Sequence, residues 1–373
     1  MNEFSASLVM SSWLIFVEDP GAVNFFAPLL EWLNQKDQRY ILTSAGEATR
    51  MLADRCHDSR PLTPDLNKLS GISQVIIGTS ENNRSAGLAL IDAARSVNVP
   101  STVIIDSPIN AEYRLRGTST SALHHRPDWL LVPDELSRRA FSQLGFQDCR
   151  IKLIGNPHLS QLVQRGKTLR SQKEQLRAEI LPEAGDKFVL TFVSEISDGL
   201  NASQYRKSPL YTLTGSDATV LRTHVVLDEL FSALSALPGF SRDELYLVLR
   251  LHPKEKLEDV GPYANLFDHV SQGGAPSKLM CASDLITGMT TMLLVEAFYL
   301  GCQTLSIIPR ESETNWLPTA RDGLAPVVWE RLQLRAQLQN FILEGDSVDP
   351  TVVPDLPDTV ESITDHLLGL EAK

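Results

Sequence analysis

Apolar residues along this chain gather in short continuous runs. In the first half the runs fall at 13–17, 39–43, 73–78, 101–106, 129–132 and 150–154, mostly separated by segments of helical period. Runs that are apolar at every position mark strands covered on both faces, and strand–helix alternation marks a parallel sheet. The second half repeats the plan at 188–193, 245–251, 266–270, 285–287 and 303–308. The pattern predicts an α/β protein of two doubly wound domains, each with its ligand crevice at the carboxyl ends of its strands. Gly155-Asn156-Pro157 stops the last run of the first half, and a charged stretch over 165–187 leads into the second. The expected bounds are 1–157 and 158–355. Three prolines within 349–357 then precede an amphipathic helix over 358–370, in a tail (356–373) placed to cross back onto the first domain.

A length of 373 residues agrees with two ordinary domains. The net charge of -12, with no compensating Lys/Arg run, argues against a nucleic-acid or anionic-membrane surface. Cys56, Cys149, Cys281 and Cys302 are scattered without Cys-x-x-Cys spacing, which implies neither a disulfide framework nor a structural zinc site. The first residues carry an acid where a signal peptide needs a basic start, and no apolar run reaches membrane-spanning length. A cytoplasmic protein is expected.

The most informative stretch is 284–301, an apolar strand end, a Gly/Thr turn and a helix start. Amides at Gly288 to Thr291, the helix dipole and the hydroxyls of Thr290 and Thr291 converge as a diphosphate requires, and Glu296 is placed one turn on to accept from a ribose or sugar. An ordinary strand-to-helix turn with a paired glutamate explains the same pattern. At the end of another strand, Arg250, His252 and Lys254 gather charge suited to a phosphate leaving group, or form a plain basic surface loop. Ser194, in the first loop of the second domain with Ser197, Asp198 and Gly199, and Arg310, after its last clear strand, sit at further crevice positions. Trp316 either stacks on a base or is buried in its lobe.

In the first domain, Glu18 and Asp19 end a strand and precede Gly21 and Asn24 at a helix start. Either acid can serve as a general base or simply complement the helix dipole. Ser80, Glu81 and Asp106 reach the same rim as candidates for acceptor contacts, and Arg114 and Arg116 are available to pair with these acids.

The two lobes, the Gly155–Pro157 hinge and the Asp-Leu-Ile-Thr-Gly-x-Thr-Thr-x-x-x-x-Glu-Ala segment resemble the GT-B fold glycosyltransferases, including bacterial surface-polysaccharide and sialyltransferase-like enzymes, and the nucleotide-sugar 2-epimerases. The resemblance implies two Rossmann-like domains facing a cleft, the first for the acceptor and the second for the nucleotide donor. It also implies Asp19 as first choice of base with Glu18 second, and His252 as the group assisting nucleotide departure. Arg310 lies in a segment that resembles the Arg-x-x-Thr-Glu-Arg-Pro loop of the 2-epimerases. Their His-Arg-x-x-Asn segment is absent, because this chain has Ser194-Glu195-Ile196-Ser197-Asp198 there.

The expected activity is therefore an inverting transfer of a sugar from a nucleotide-sugar to a hydroxyl acceptor such as a glycan or lipid-linked sugar, in polysaccharide synthesis. No Asp-x-Asp motif is present, so neither a metal nor another cofactor is expected. The competing readings are a 2-epimerase-like isomerase or hydrolase and a noncatalytic nucleotide-sugar binding protein. Nucleobase, sugar and oligomeric state are not encoded in any of these patterns.

Overall fold

The computed structural model describes residues 12–63, 68–80, 82–106, 110–195, 206–239, 241–344, 353–354, 356 and 359–371. The chain divides into two compact units, one of Met1–His158 with Pro357–Lys373 and one of Leu159–Leu356.

The first unit holds a parallel sheet of β1 (Ser12–Val17), β2 (Tyr40–Ser44), β3 (Ile72–Gly78), β4 (Ser101–Ile104), β5 (Trp129–Val132) and β6 (Ile151–Leu153), in the order β2-β1-β3-β4-β5-β6. Strand β1 shows why the continuous apolar runs form central strands. Trp13, Ile15 and Val17 face one helical layer with Phe25, Phe26 and Leu29, while Leu14 and Phe16 face the other with Leu90 and Ile91. Alternate side chains enter opposite layers and all five are buried. The helix Thr359–Glu371 belongs to the first of these layers through Ile363 and Leu367.

The second unit holds β7 (Phe188–Val193), β8 (Leu245–Arg250), β9 (His269–Ser271), β10 (Leu285–Gly288), β11 (Thr304–Ile307) and β12 (Val327–Val328), all parallel, in the order β12-β11-β10-β7-β8-β9. Leu190 and Phe192 point into one cluster, Val189 and Val193 into the other. The sixth strand, β12, was not expected, since two residues are too few to carry a periodicity.

Both sheets are doubly wound. Chain order reverses direction between β1 and β3 in the first unit and between β7 and β10 in the second, so each sheet has one switch point where the loops diverge and leave a crevice.

Candidate functional site

In the second unit, register brings Arg250, Val193 and Gly288 side by side at the carboxyl edge of β8, β7 and β10. Gly288 is glycine for a packing reason: a Cβ there would lie 2.7 Å from Val193 Cγ2 and 2.9 Å from the Val193 carbonyl oxygen. The chain then turns into the helix Met292–Tyr299. Thr291 is its N-cap, and its hydroxyl accepts from the Leu293 amide at 3.3 Å, so this group serves the helix and is not held out for a ligand.

The Thr290 amide, expected to be open to phosphate, donates to the carboxylate of Glu195, which follows β7 across the switch point. The Thr290 hydroxyl is 3.2 Å from the same carboxylate. An anion already sits where the helix dipole favours one.

Behind this carboxylate lies Arg222, the first residue of the helix Arg222–Ser235, only 3% exposed. It donates from Nη1 to Glu195 at 2.8 Å, from Nε and Nη2 to Glu313 Oε2 at 2.8 and 2.6 Å, and from Nη2 to Thr290 Oγ1 at 3.2 Å. Glu313 is fully buried and also accepts from Arg310 Nε at 2.9 Å. Two carboxylates and two guanidinium groups thus balance in one largely buried network, the condition under which buried charge is tolerated. Burial works against the Arg222 charge, yet Glu195 and Glu313 outweigh it and hold the guanidinium more basic than usual. Burial pushes the Glu313 carboxyl up, against the pull of Arg222. The half-buried Trp316 lies under both guanidinium groups, each 5.6 Å from its ring centroid, and Arg310 also stands 5.4 Å over Tyr211.

The β8 loop forms a second cluster. Ser194 is buried and donates to Glu255 Oε1 at 2.9 Å, so its hydroxyl is committed to a carboxylate and does not line a phosphate pocket. Arg250, expected at the donor, is buried and turned toward the outer strand, where it donates to Ser271 Oγ at 2.9 Å and to the Gly273 carbonyl. Burial pulls its pKa down. His252 Nδ1 accepts from the Lys254 amide at 3.1 Å, which leaves the neutral ring with its proton on Nε2 as a donor. The Lys254 side chain is exposed. Glu255, beneath this loop, is 3% exposed, and burial pushes its carboxyl up to about 7 despite the Ser194 hydroxyl and His252 amide that favour its charge. Glu296 is buried within the first two turns of the Met292–Tyr299 helix.

In the first unit, Glu18 and Asp19 leave β1 at its switch point, both nearly buried. Glu18 Oε1 accepts from Asn82 Nδ2 at 2.7 Å, and its Oε2 has no partner among the described residues. Asp19 stands at the N-cap of the helix Pro20–Gln35, but its side chain makes no capping bond. Gly21 lies inside the first turn of the helix Pro20–Gln35. The Asp106 carboxylate lies against it, so a Cβ at this position would require that carboxylate to shift. Asp106 accepts from the buried Arg114 at 3.1 Å and from Thr79 Oγ1 at 3.3 Å. The Ser80 hydroxyl accepts from the Asn82 amide at 3.0 Å. Asn24 accepts from Arg55 Nη2 at 2.5 Å, which ties it to the neighbouring helix Glu47–Asp54 and its C-cap. Arg116 stacks on Tyr113, with its guanidinium carbon 4.3 Å from the ring centroid.

The structure thus unites Thr290, Arg310 and Trp316 around Arg222, Glu195 and Glu313, and separately unites Glu18, Ser80, Gly21 and Asp106. Arg222, Glu313, Glu255 and Asn82 were missed. The only signal for Arg222 is a cation at the start of an apolar helix, too common to single out. Glu81, Ile196, Ser197, Asp198 and Gly199 lie outside the described residues. Among the described residues, no group of three or more His, Cys, Asp or Glu is arranged to hold a metal, and no helix is long and apolar enough to cross a membrane.

No protein-family model and no curated protein matches this sequence. Similar solved structures include the UDP-GlcNAc 2-epimerase of Neisseria meningitidis bound to UDP-GlcNAc, 13% identical, covering 96% of this chain and 100% of that one with a TM-score of 0.65. The UDP-GlcNAc 2-epimerase of Methanocaldococcus jannaschii is 12% identical, with 96% and 99% covered and a TM-score of 0.63. HepE of Anabaena in complex with UDP-glucose is 12% identical, with 97% of each chain covered and a TM-score of 0.58. These neighbours correct the expected assignment: epimerases stand where a glycosyltransferase, and a sialyltransferase-like one in particular, was expected. Across nearly its whole length, the chain carries the two-domain Rossmann-like GT-B fold of the UDP-GlcNAc 2-epimerases.

Proposed function

We propose that the protein binds a nucleoside-diphosphate sugar, a UDP-sugar foremost, and acts on it as an isomerase or hydrolase of the 2-epimerase type. The observation that carries this reading is the anion held at the start of the Met292–Tyr299 helix: the Glu195 carboxylate on the Thr290 amide, backed by Arg222. A phosphate oxygen fits the same donors and brings more charge to them. With Glu195 turned out, Arg222 keeps Glu313 as its partner and offers its Nη1 to the diphosphate, with Arg310 beside it. Glu296 is the group for ribose hydroxyls, and His252 Nε2–H a donor for a phosphate oxygen.

Inverting a sugar carbon next to the anomeric centre requires breaking and remaking a C–H bond, hence a base, an acid and stabilisation of charge on the nucleotide. At the first unit's switch point, Glu18 has a buried carboxylate oxygen with no partner among the described residues, and it replaces Asp19 as first choice of base. Of the neighbours named above, the Neisseria meningitidis enzyme is bound to UDP-GlcNAc and HepE is in complex with UDP-glucose, which favours uridine over other bases.

The test is proton NMR of the protein incubated with UDP-GlcNAc in heavy water. The expected result is a new anomeric signal, from a C2 epimer or released sugar, with deuterium at C2 if the hydrogen is exchanged. Absence of any spectral change, together with no thermal shift by UDP, CMP, CDP or GDP, eliminates the reading.

A further inference from the structure

Cys281 and Cys302 are 21 positions apart in sequence, yet their sulfurs lie 3.8 Å apart. Cys281 lies in the helix Pro276–Ala282 and is 2% exposed. Cys302 follows the helix Met292–Tyr299 at the Gly301 turn and is partly exposed, with its amide held by the Ala297 carbonyl at 3.0 Å. Both backbones are anchored by helices, so the thiols face each other through the fold and not by a chance of loop position. We propose that Cys281 and Cys302 are a site of reversible oxidation, forming an intramolecular disulfide with a small peroxide as oxidant.

The two thiols are chemically unequal. The hydrogen bond from Cys302 favours the Cys281 thiolate against the opposing effect of burial, and Arg170, Arg165 and Lys173 add positive potential. The same hydrogen bond and burial keep Cys302 protonated. The Cys281 thiolate attacks one peroxide oxygen, releasing hydroxide and leaving a sulfenic acid. Cys302 sulfur then attacks the Cys281 sulfur, its proton leaving with the displaced hydroxyl as water. Two thiols and one hydrogen peroxide become one disulfide and two waters, the sulfurs losing the two electrons that the peroxide gains. Bonding requires the sulfurs to close to about 2.05 Å, a shift of roughly 2 Å that side-chain rotation is expected to supply. The ring so closed encloses β10, Thr290, Thr291 and the whole Met292–Tyr299 helix, so oxidation ties both ends of the segment that carries the candidate anion seat.

The experiment uses the full chain carrying Cys56→Ser and Cys149→Ser, which removes the two exposed thiols. After one equivalent of hydrogen peroxide, thiols titrated under denaturing conditions should fall from two to near zero. The intact mass should fall by two hydrogens, a digest should yield one linked peptide joining Cys281 to Cys302, and dithiothreitol should reverse all three. Adding Cys302→Ser should leave a dimedone-trappable sulfenic acid at Cys281. Two thiols that persist under excess peroxide, or added oxygen with no linked peptide, overturn the proposal. Should the double variant not fold, differential alkylation and peptide mapping of the unaltered protein read the same linkage.

Discussion

A single carboxylate under the β8 loop makes this protein's stability depend on pH in the neutral range. Glu255 is buried below His252 and Lys254, and burial pushes its carboxyl up to about 7, with Asp259 and Glu195 adding to the rise. Its unfolded value is near that of a free glutamate, about 4.3. The folded chain therefore binds the Glu255 proton more tightly than the unfolded chain does. The resulting stabilisation is complete below the unfolded pKa and is lost as pH rises through 7. Glu255→Gln keeps an uncharged hydrogen-bonding side chain facing Ser194, so the variant should lose less stability than the parent between pH 5 and pH 8, by up to roughly 3 kcal/mol. Urea denaturation at the two pH values measures this, and parallel pH slopes for the two proteins would count against it. In the sequence this loop shows three cations, a histidine and one acid in a row, which suggests a basic edge. That the acid folds inward while Arg250 turns to Ser271 depends on side-chain direction at a strand end, and residue spacing does not encode it.

The strand–turn–helix of β10 and Met292–Tyr299 was legible as an element. An apolar run, a Gly/Thr turn and an apolar helix locate its start, and Thr291 caps it as its residue type suggests. What fills that start was not legible, because Glu195 and Arg222 come from 95 and 68 positions away and neither lies in a recognisable pattern. Two substitutions separate the local from the tertiary contribution. Thr291→Ala removes only the cap and should cost about 1 kcal/mol. Gly288→Ala places a methyl against the Val193 carbonyl oxygen, part of a strand flanked on both sides within the sheet, which cannot give way cheaply. It should cost about 1–3 kcal/mol and shift the sheet edge that presents Thr290. Chemical denaturation of the two variants checks the ranking, and a harmless Gly288→Ala would show that the strand end is looser than its contacts indicate.

At the scale of the whole molecule, the first unit is completed by the far end of the chain. The helix Thr359–Glu371 has an apolar stripe that the sequence displays, but the core cluster it joins includes Trp13, Phe25, Phe26 and Leu30, more than 300 positions earlier. No local pattern connects them. Ile363 and Leu367 are fully buried, the Leu367 carbonyl accepts from Gln74 Nε2 at 3.3 Å, and His366 meets the Trp129 ring edge-on with centroids 4.7 Å apart. Thr359 closes against Gly155, whose positive φ of 73° and lack of a Cβ admit that contact. Burying two aliphatic side chains is worth about 2 kcal/mol each, and the packing and hydrogen bond add to it. The sum is a large share of the roughly 5–15 kcal/mol that stabilises a domain. The second unit keeps both of its own clusters when these residues are removed, since none of their members comes from 359–371. Ending the chain after residue 356 should therefore unfold or greatly loosen the first unit while the second stays folded. Hydrogen exchange read by mass spectrometry resolves the two. Strands β1, β3 and β4 should lose protection by several orders of magnitude while β7, β8 and β10 retain theirs. Equal loss in both sheets, or in neither, would mean that this helix is not a structural member of the first unit.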